Sequence, residues 1–143
     1  MKTTRLISGV VSILVVLAFT LGYAEEKTPG ITVEDLTGIW HNTGVYSTYL
    51  QLDEDGTFRV ARAFPLLETG PIEVGQFRLE GMLVTFVPTG GGSACTDRNG
   101  SYQSGSYQVE LTQQDQLQFI LQEDPCQFRV NNLSKAPWSR FEP

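Results

Sequence analysis

Apolar and polar residues alternate along this chain from about residue 37 onward, and turn residues interrupt the alternation at short intervals. Alternation with a period of two over four to eight residues is typical of strands that bury one face. No stretch shows the helical period over three turns. The predicted strands cover residues 37–42, 46–53, 57–64, 72–80, 82–88, 101–112, 116–123 and 126–131. The pattern therefore predicts an all-β meander of about eight strands.

The first predicted hairpin, in "LQLDEDGTFRV", fixes which residues share a face. A three-residue loop ending at Gly56, with that glycine in the left-handed region, pairs Asp53 with Thr57. Leu52 then lies opposite Phe58, so both apolar residues point to the same side. A loop of another length would place them on opposite faces of the sheet.

Two further hairpins give the same result. In "FRLEGMLVTF" a two-residue loop at 80–81 sets Leu79 opposite Met82. In "YQVELTQQDQLQFIL" Leu111 lies opposite Leu117. All three hairpins thus collect apolar residues on one face of the sheet.

One face of the predicted sheet is apolar and the other is polar. The apolar face consists of Leu50, Leu52, Phe58, Val60, Phe77, Leu79, Val84, Phe86, Tyr107, Val109, Leu111, Leu117, Phe119, Leu121, Phe128 and Val130. The polar face carries Gln51, Arg59, Gln76, Arg78, Gln108, Glu110, Gln118 and Arg129. Antiparallel strands with one dry face and no covering helices close on themselves or split into a sandwich. Since closure also removes the sheet edges, we predict a small antiparallel up-and-down barrel.

The N-terminus has the pattern of a secretory signal peptide, predicted over 1–24. Two basic residues precede an apolar run at 6–21, and small residues follow it. The run is shorter than the roughly 20 residues of a membrane-spanning helix, so we expect no stable membrane anchor. A polar lead is predicted at 25–35 and the barrel domain at 36–143. The protein is expected to be secreted or periplasmic.

Charge and cysteine content narrow the class of partner. The net charge of −6 disfavours nucleic acid and anionic membrane surfaces. Cys95 and Cys126 both follow the predicted signal peptide, and a disulfide between them would close a loop of about 30 residues, worth roughly 3 to 4 kcal/mol. Two free reactive thiols are the alternative. The sequence shows no metal-ligand spacing, and we expect no cofactor.

The opening "LTGIW" and the tail "APWSRFEP" carry a family resemblance. An N-terminal Gly-x-Trp at the first strand of a small barrel, here Gly38 and Trp40, resembles the lipocalin and calycin group, as does the hairpin "YLQLDEDGTFRVA". The resemblance implies that Trp40 plugs the closed end of the barrel and that Arg140 packs across it. It covers most of 36–141.

The chain also departs from that group. It is shorter than most secreted lipocalins, and the long helix beside their barrel is not visible. Avidins share an "LTG-x-W" opening, but their biotin pocket needs several later tryptophans, and only Trp138 follows here. Bacterial inhibitors of secreted metalloproteases are also small exported barrels with one disulfide.

The inward face supplies the candidate ligand-binding residues. They are Leu50, Val60, Arg62, Glu73, Phe77, Phe86, Tyr107 and Phe119. Polar groups above an apolar lining can orient a headgroup, and Arg62, Glu73 and Gln103 extend the inward face past the apolar residues. Alternatively, Arg62 and Glu73 are solvated beyond the rim or pair with each other, because a single bulge would change their face.

Two motifs are interpreted as structural. His41 follows Trp40 on a strand and should point outward, without a Ser, Cys or carboxylate arrangement around it. The motif "DEDG" at 53–56 lacks the glutamate that an EF-hand needs at its twelfth position, so it is a hairpin turn.

These observations predict a non-catalytic barrel that binds a small apolar or amphipathic molecule. The alternative is a barrel that acts on a protein partner, for example as a protease inhibitor, through the glycine-rich loop at 88–101 or the N-terminal lead. An enzyme such as a cyclase or isomerase would need a converging acid and base. A ligand-binding barrel predicts an open cavity, whereas a surface inhibitor predicts a filled core.

Overall fold

The computed structural model describes residues 30–44 and 46–143, apart from the side chain of Ser93. Its strands are β1 (Gly38–Asn42), β2 (Thr48–Leu52), β3 (Thr57–Ala61), β4 (Glu73–Glu80), β5 (Leu83–Gly91), β6 (Gly105–Leu111), β7 (Gln116–Glu123) and β8 (Trp138–Arg140). Each strand pairs antiparallel with the next, and β8 pairs with β1, so the sheet is a closed up-and-down barrel as predicted.

Short helical segments lie outside the sheet. They are α1 (Val33–Leu36), α2 (Leu66–Thr69), a 3₁₀ turn (Ser93–Cys95) and α3 (Gln127–Leu133). Among the described residues, no helix is long and apolar enough to cross a membrane. The predicted signal peptide at 1–24 lies outside the described residues.

The predicted polar lead belongs in part to the domain. A capping box at Thr32 and Asp35 starts α1, and Ile31 and Val33 pack against the core. Part of the predicted lead at 25–35 therefore packs against the barrel.

The last predicted strand is wrong. Residues 126–131 contribute to α3, and the eighth strand is β8 in the tail. The buried residues Arg129, Val130 and Leu133 follow helical spacing, and the Sγ of Cys126 accepts a hydrogen bond from the Arg129 N–H at 3.5 Å. A run of six residues fits both periods, so alternation alone could not decide between strand and helix.

The predicted hairpins are confirmed at 53–57 and 111–117, where Leu52 faces Phe58 and Leu111 faces Leu117. The middle hairpin is two residues off, because Leu79 lies opposite Val84 instead of Met82. Gly81, with φ of 63°, occupies the first of two loop positions. A shift of two residues preserves parity, so the same side chains still face inward.

Most of the predicted apolar face forms the core, but not all of it. Leu50, Leu52, Phe58, Val84, Val109 and Leu117 are among its fully buried members. Leu111 and Leu121, also predicted inward, are 38% and 42% exposed. Leu111 is the last residue of β6, and Leu121 lies next to a bulge in the pairing of β6 with β7, so both have left the enclosed part of the barrel.

One end of the barrel, which we call the hairpin end, is closed by α1. The Trp40 indole N–H donates to the Leu36 carbonyl at 2.8 Å, and both side chains are fully buried. The Arg140 guanidinium lies 4.3 Å from the centroid of the Trp40 ring and donates to the Thr37 carbonyl at 2.8 Å. Gly38, with φ of 133°, leaves the space that the Arg140 guanidinium occupies.

The two ends of the barrel differ in the length of their connections. Tight hairpin loops at 53–56, 81–82 and 112–115 lie at the hairpin end. The connections at the opposite end, which we call the loop end, are 43–47, 62–72, 92–104 and 124–137. Long connections on a rigid scaffold are where binding residues concentrate.

Candidate functional site at the loop end

Helix α3 lies across the loop end and closes it. Val130 and Leu133 are buried, and Leu133 packs in the core of the barrel. Near the end of the helix, the Oδ1 atom of Asn132 accepts a hydrogen bond from the Thr48 hydroxyl at 3.0 Å. The Asn132 carbonyl also accepts from the Asn42 amide at 3.3 Å. These contacts fix the end of α3 to β1 and β2.

The beginning of α3 is fixed by the predicted disulfide. Cys95 and Cys126 are bonded to each other, and each is only 3% exposed. The bond joins the start of α3 to the 3₁₀ turn that follows β5. It also removes the alternative of two free thiols, because both cysteines of the chain take part.

A buried charge cluster lies beneath α3, formed by Arg129, Glu73, Asp124 and Tyr107. The Arg129 side chain is 2% exposed and pairs with Glu73. It also donates to both carboxylate oxygens of Asp124, at 2.6 and 2.9 Å, and to the Gln103 carbonyl at 2.6 Å. The Tyr107 hydroxyl donates to Asp124. The guanidinium thus holds β4, the loop before β6 and the start of α3 together.

Three groups of the cluster, Glu73, Tyr107 and Arg129, have pKa values shifted by their surroundings. Burial raises the pKa of the Glu73 carboxyl, and this outweighs the opposing effect of Arg129. Burial and the hydrogen bond to Asp124 also raise the pKa of Tyr107. Burial would lower the pKa of Arg129, but its hydrogen bond to Asp124 and the nearby carboxylates raise it. Tyr107 and Arg129 therefore both stay protonated and act as donors.

The sequence found part of this cluster and missed the rest. Glu73 and Tyr107 were predicted inward and are buried. Arg129 was predicted to face water and is instead at the centre of the cluster. Asp124 was not anticipated, although it lies two residues before the N-cap Cys126 and accepts from the Cys126 N–H at 2.7 Å, an Asx turn that often precedes a helix.

Arg62 does not join the inward residues. β3 ends at Ala61, and Arg62 is exposed, with its guanidinium 5.8 Å from the centroid of the Tyr46 ring. The predicted alternative, in which Arg62 pairs with Glu73, is also wrong, because Glu73 pairs with Arg129.

The barrel interior is occupied by side chains. A cavity of about 10 Å³ lies between the barrel and α3. It is lined by Leu50, Phe58, Val60, Glu73, Phe86, Phe128, Arg129, Asn132, Leu133 and Trp138. The predicted lining residues Phe77 and Phe119 are 4% and 1% exposed within the core. A space of this volume holds one water molecule at most.

The predicted glycine-rich loop at 88–101 is more ordered than its sequence indicates. β5 extends through Gly91, and a bridge joins Thr96 to Tyr102. Between them the Asp97 carboxylate accepts from the N–H groups of Asn99 and Ser101 at 2.8 and 2.9 Å. We call residues 96–102 the braced turn, since the disulfide lies at its base.

Large exposed side chains surround the closed mouth. Tyr46, Leu66 and Tyr102 are 47%, 41% and 37% exposed, and Arg62 and Arg98 are exposed beside them on the same connections. A separate open groove, lined by Glu80, Met82, Leu83, Gln108 and Gln122, lies on the outer face of β5 to β7.

Of the two motifs interpreted as structural, the "DEDG" turn has the expected contacts and His41 has an additional polar neighbour. "DEDG" is a hairpin turn as predicted, with the Asp55 carboxylate accepting from the Thr57 N–H at 2.9 Å. His41 lies on the outer face, stacked on Tyr49 at 4.3 Å, but Ser47 is 3.0 Å from its Nε2, a neighbour that the sequence did not reveal. A catalytic Ser–His pair needs a third group that orients the imidazole, and the rings that contact His41 are those of Tyr49 and Phe141.

Metal chemistry finds no support in the described part of the chain. There, no group of three His, Cys, Asp or Glu side chains is arranged to hold an ion.

Comparison with family models, with curated proteins and with solved structures finds no match to this chain. The lipocalin resemblance of Gly38, Trp40 and Arg140 therefore stays a prediction.

Proposed function

We propose that this protein is an exported, lipocalin-like binding module that acts on a protein partner through its loop end and performs no chemistry of its own. The observation that carries the proposal is the filled interior, with a cavity of about 10 Å³ under α3. Pockets for drug-sized ligands measure roughly 300 to 1,000 Å³. The outer surface is therefore the part of the molecule available for recognition.

The distribution of charge favours the loop end over the hairpin end. Acidic residues at the hairpin end are Glu34, Asp35, Asp53, Glu54, Asp55, Glu80, Glu110, Asp115 and Glu142. The charges at the loop end outside the buried cluster are Arg62, Glu68, Asp97, Arg98, Glu123 and Lys135, so acidic residues are fewer there than at the hairpin end. Dense like charge keeps a surface solvated, whereas interface cores are depleted of acidic residues.

The exposed residues at the loop end are of the type that dominates binding energy. Tyrosine and arginine are enriched among interface hot spots, and the loop end presents Tyr46, Arg62, Arg98 and Tyr102. The braced turn is also held in one conformation by its own hydrogen bonds. Preorganisation of this kind lowers the entropy cost of binding.

Export is part of the same proposal. The disulfide supports it, since such bonds persist in the periplasm and outside the cell and are rare in the cytosol. The predicted signal peptide at 1–24 supplies the route.

The test compares two surface variants of the mature protein. The loop-end variant replaces Tyr46, Arg62, Arg98 and Tyr102 by serine. The control variant replaces Met82 and Leu83, which are exposed beside the groove on β5 to β7. Each is assayed for inhibition of purified secreted serine, cysteine and metalloproteases, and for cross-linking to proteins of the extracellular fraction of the producing organism.

We expect the wild type and the control variant to bind the same partner. The loop-end variant should bind that partner at least about 100-fold more weakly. A partner lost only by the control variant would move the site to the outer groove. Equal binding by all three proteins would refute the loop-end site.

A second candidate function is binding of a small apolar molecule inside the barrel. It is favoured by the position of the cavity, whose walls include the predicted residues Leu50, Val60 and Phe86. Such a ligand would require α3 to move away. Native mass spectrometry of gently purified protein tests this, because a bound molecule adds its mass at one per chain.

A further inference from the structure

We infer that α3 is a latched plug of the barrel, which reduction of the Cys95–Cys126 disulfide releases as one unit while β1 to β7 stay folded. This inference concerns the barrel interior and stands independently of the loop-end site. It rests on how α3 is attached, on what lies beneath it and on how the chain enters and leaves it.

The strand ladder does not depend on α3. The helix is connected through residues 124–126 and 134–137, none of which belongs to a strand. β8 pairs with β7 only at Gln116 and Leu117, and with β1 at Trp40 and His41. Withdrawal of α3 therefore breaks no strand pairing between β1 and β7.

One small void interrupts the packing beneath α3. The cavity of about 10 Å³ is bounded on one side by Leu50 and Phe86 of the barrel and on the other by Phe128 and Leu133 near the two ends of the helix. Atoms that line a void have lost contact partners, so this boundary is weaker than the core around it.

The polar attachment contributes little net stability. Arg129 is buried with two carboxylates, Glu73 and Asp124, so the cluster combines one positive group with two acidic ones. Desolvation of buried ions offsets much of their attraction, and the raised pKa of Glu73 reflects that cost. The disulfide is thus the strong fastener at the start of α3.

Reduction removes that fastener by a balanced reaction. A small dithiol donates two electrons and two protons, the S–S bond becomes two thiols, and the dithiol closes into a cyclic disulfide. Because Cys95 and Cys126 are each 3% exposed, reduction requires a local fluctuation that brings the sulfur atoms to solvent. A variant with both cysteines replaced by alanine gives the unlatched state without reagent.

Hydrogen exchange measured by mass spectrometry tests the inference on the full mature protein. Oxidised wild type is compared with dithiol-reduced, alkylated wild type and with the Cys95→Ala/Cys126→Ala variant. We expect amides at 127–133 to exchange on the order of 100-fold faster in both unlatched forms, in line with the loop-closure effect of such a bond. Amides of β2 to β6 should change by less than about threefold, since their ladder is intact.

Binding of the dye 1-anilinonaphthalene-8-sulfonate gives a second readout, because the open plug exposes the apolar faces of α3 and of the barrel mouth. We expect its fluorescence to rise in the unlatched forms. Unchanged protection at 127–133 would overturn the inference, because the helix would then be held without the disulfide. Equal loss of protection in α3 and in β2 to β6 would also overturn it, because the molecule would then unfold as a whole.

Discussion

Arg129 shows how one residue can determine the end of a barrel. Its side chain reaches from α3 to Glu73 on β4 and to Asp124, and the carbonyl of Gln103 takes a further hydrogen bond. Sequence alternation placed this residue in water, because an arginine beside two apolar residues fits the solvent face of a strand. Only the long-range position of Glu73 and Gln103, unknown from local pattern, identifies it as buried.

Removing Arg129 should destabilise the protein strongly. Arg129→Ala leaves two carboxylates buried without a counter-ion, so we expect a loss of about 3 to 5 kcal/mol in the free energy of unfolding. Urea denaturation followed by tryptophan fluorescence measures it. The triple variant Arg129→Met/Glu73→Gln/Asp124→Asn removes the charges together and should recover most of the loss. If Arg129→Ala costs less than about 1 kcal/mol, the cluster is hydrated and the expectation is wrong.

Glu73 should give stability a dependence on pH. Burial raises the pKa of its carboxyl above the ordinary value of 4.5, so the folded state binds this proton more tightly than the unfolded chain does. The contribution is full below 4.5 and is lost as pH rises through the raised value. Unfolding measured from pH 4 to pH 8 should show wild type losing stability relative to Glu73→Gln as pH rises. A constant difference, or one of opposite sign, would contradict this.

Gly38 should resist substitution. Its φ of 133° lies in the region that favours glycine, and a Cβ there would lie 2.7 Å from an Arg140 guanidinium nitrogen. We expect Gly38→Ala to cost about 1 to 3 kcal/mol in thermal or urea unfolding. Gly30→Ala is the matched control, since a Cβ there meets nothing within 4 Å, and it should be neutral. Equal effects of the two substitutions would contradict the expected strain at Gly38.

At the scale of elements, the sequence predicted which side chains of a strand share a face. It did not predict whether a short run of residues forms a strand or a helix. Within the enclosed part of the barrel the faces of β2 to β7 were correct, even where the hairpin at 81–82 was two residues off, because that shift conserves parity. α3 was read as a strand because residues 126–131 are too few to separate the two periods. β8 has only three residues and no alternation to detect, so its pairing with β1 and β7 follows from barrel closure alone.

Leucines in the enclosed part of the molecule are buried, whereas a leucine at the end of a strand is partly exposed. Leu133 on α3 is 3% exposed and lines the cavity, whereas Leu111 at the end of β6 is 38% exposed. We expect Leu133→Ala to cost about 2 to 5 kcal/mol and Leu111→Ala less than about 1 kcal/mol in urea denaturation. Similar costs at the two positions would place Leu111 in the core, as its alternation first indicated.

At the scale of the whole molecule, the sequence predicted that the barrel closes. It did not predict whether the interior of the barrel is filled. An antiparallel sheet with one dry face must close on itself or split into a sandwich, and the alternation indicated that choice. Whether the closed space stays empty depends on how α3 and the inward side chains fill it, which is a matter of volume and not of pattern. The candidate site was predicted only as far as Glu73 and Tyr107, because its remaining members lie on the misread helix and its lead.

The position of the hairpin end has a practical consequence for anyone handling this protein. The described chain starts beside α1 at that end and finishes just after β8, at the same end. A surface, bead or fluorescent domain attached beside residue 30 or after β8 is thus held at the hairpin end, opposite the end that carries Tyr46, Arg98 and Tyr102. Immobilisation through the C-terminus presents the loop end outward to whatever is passed over it.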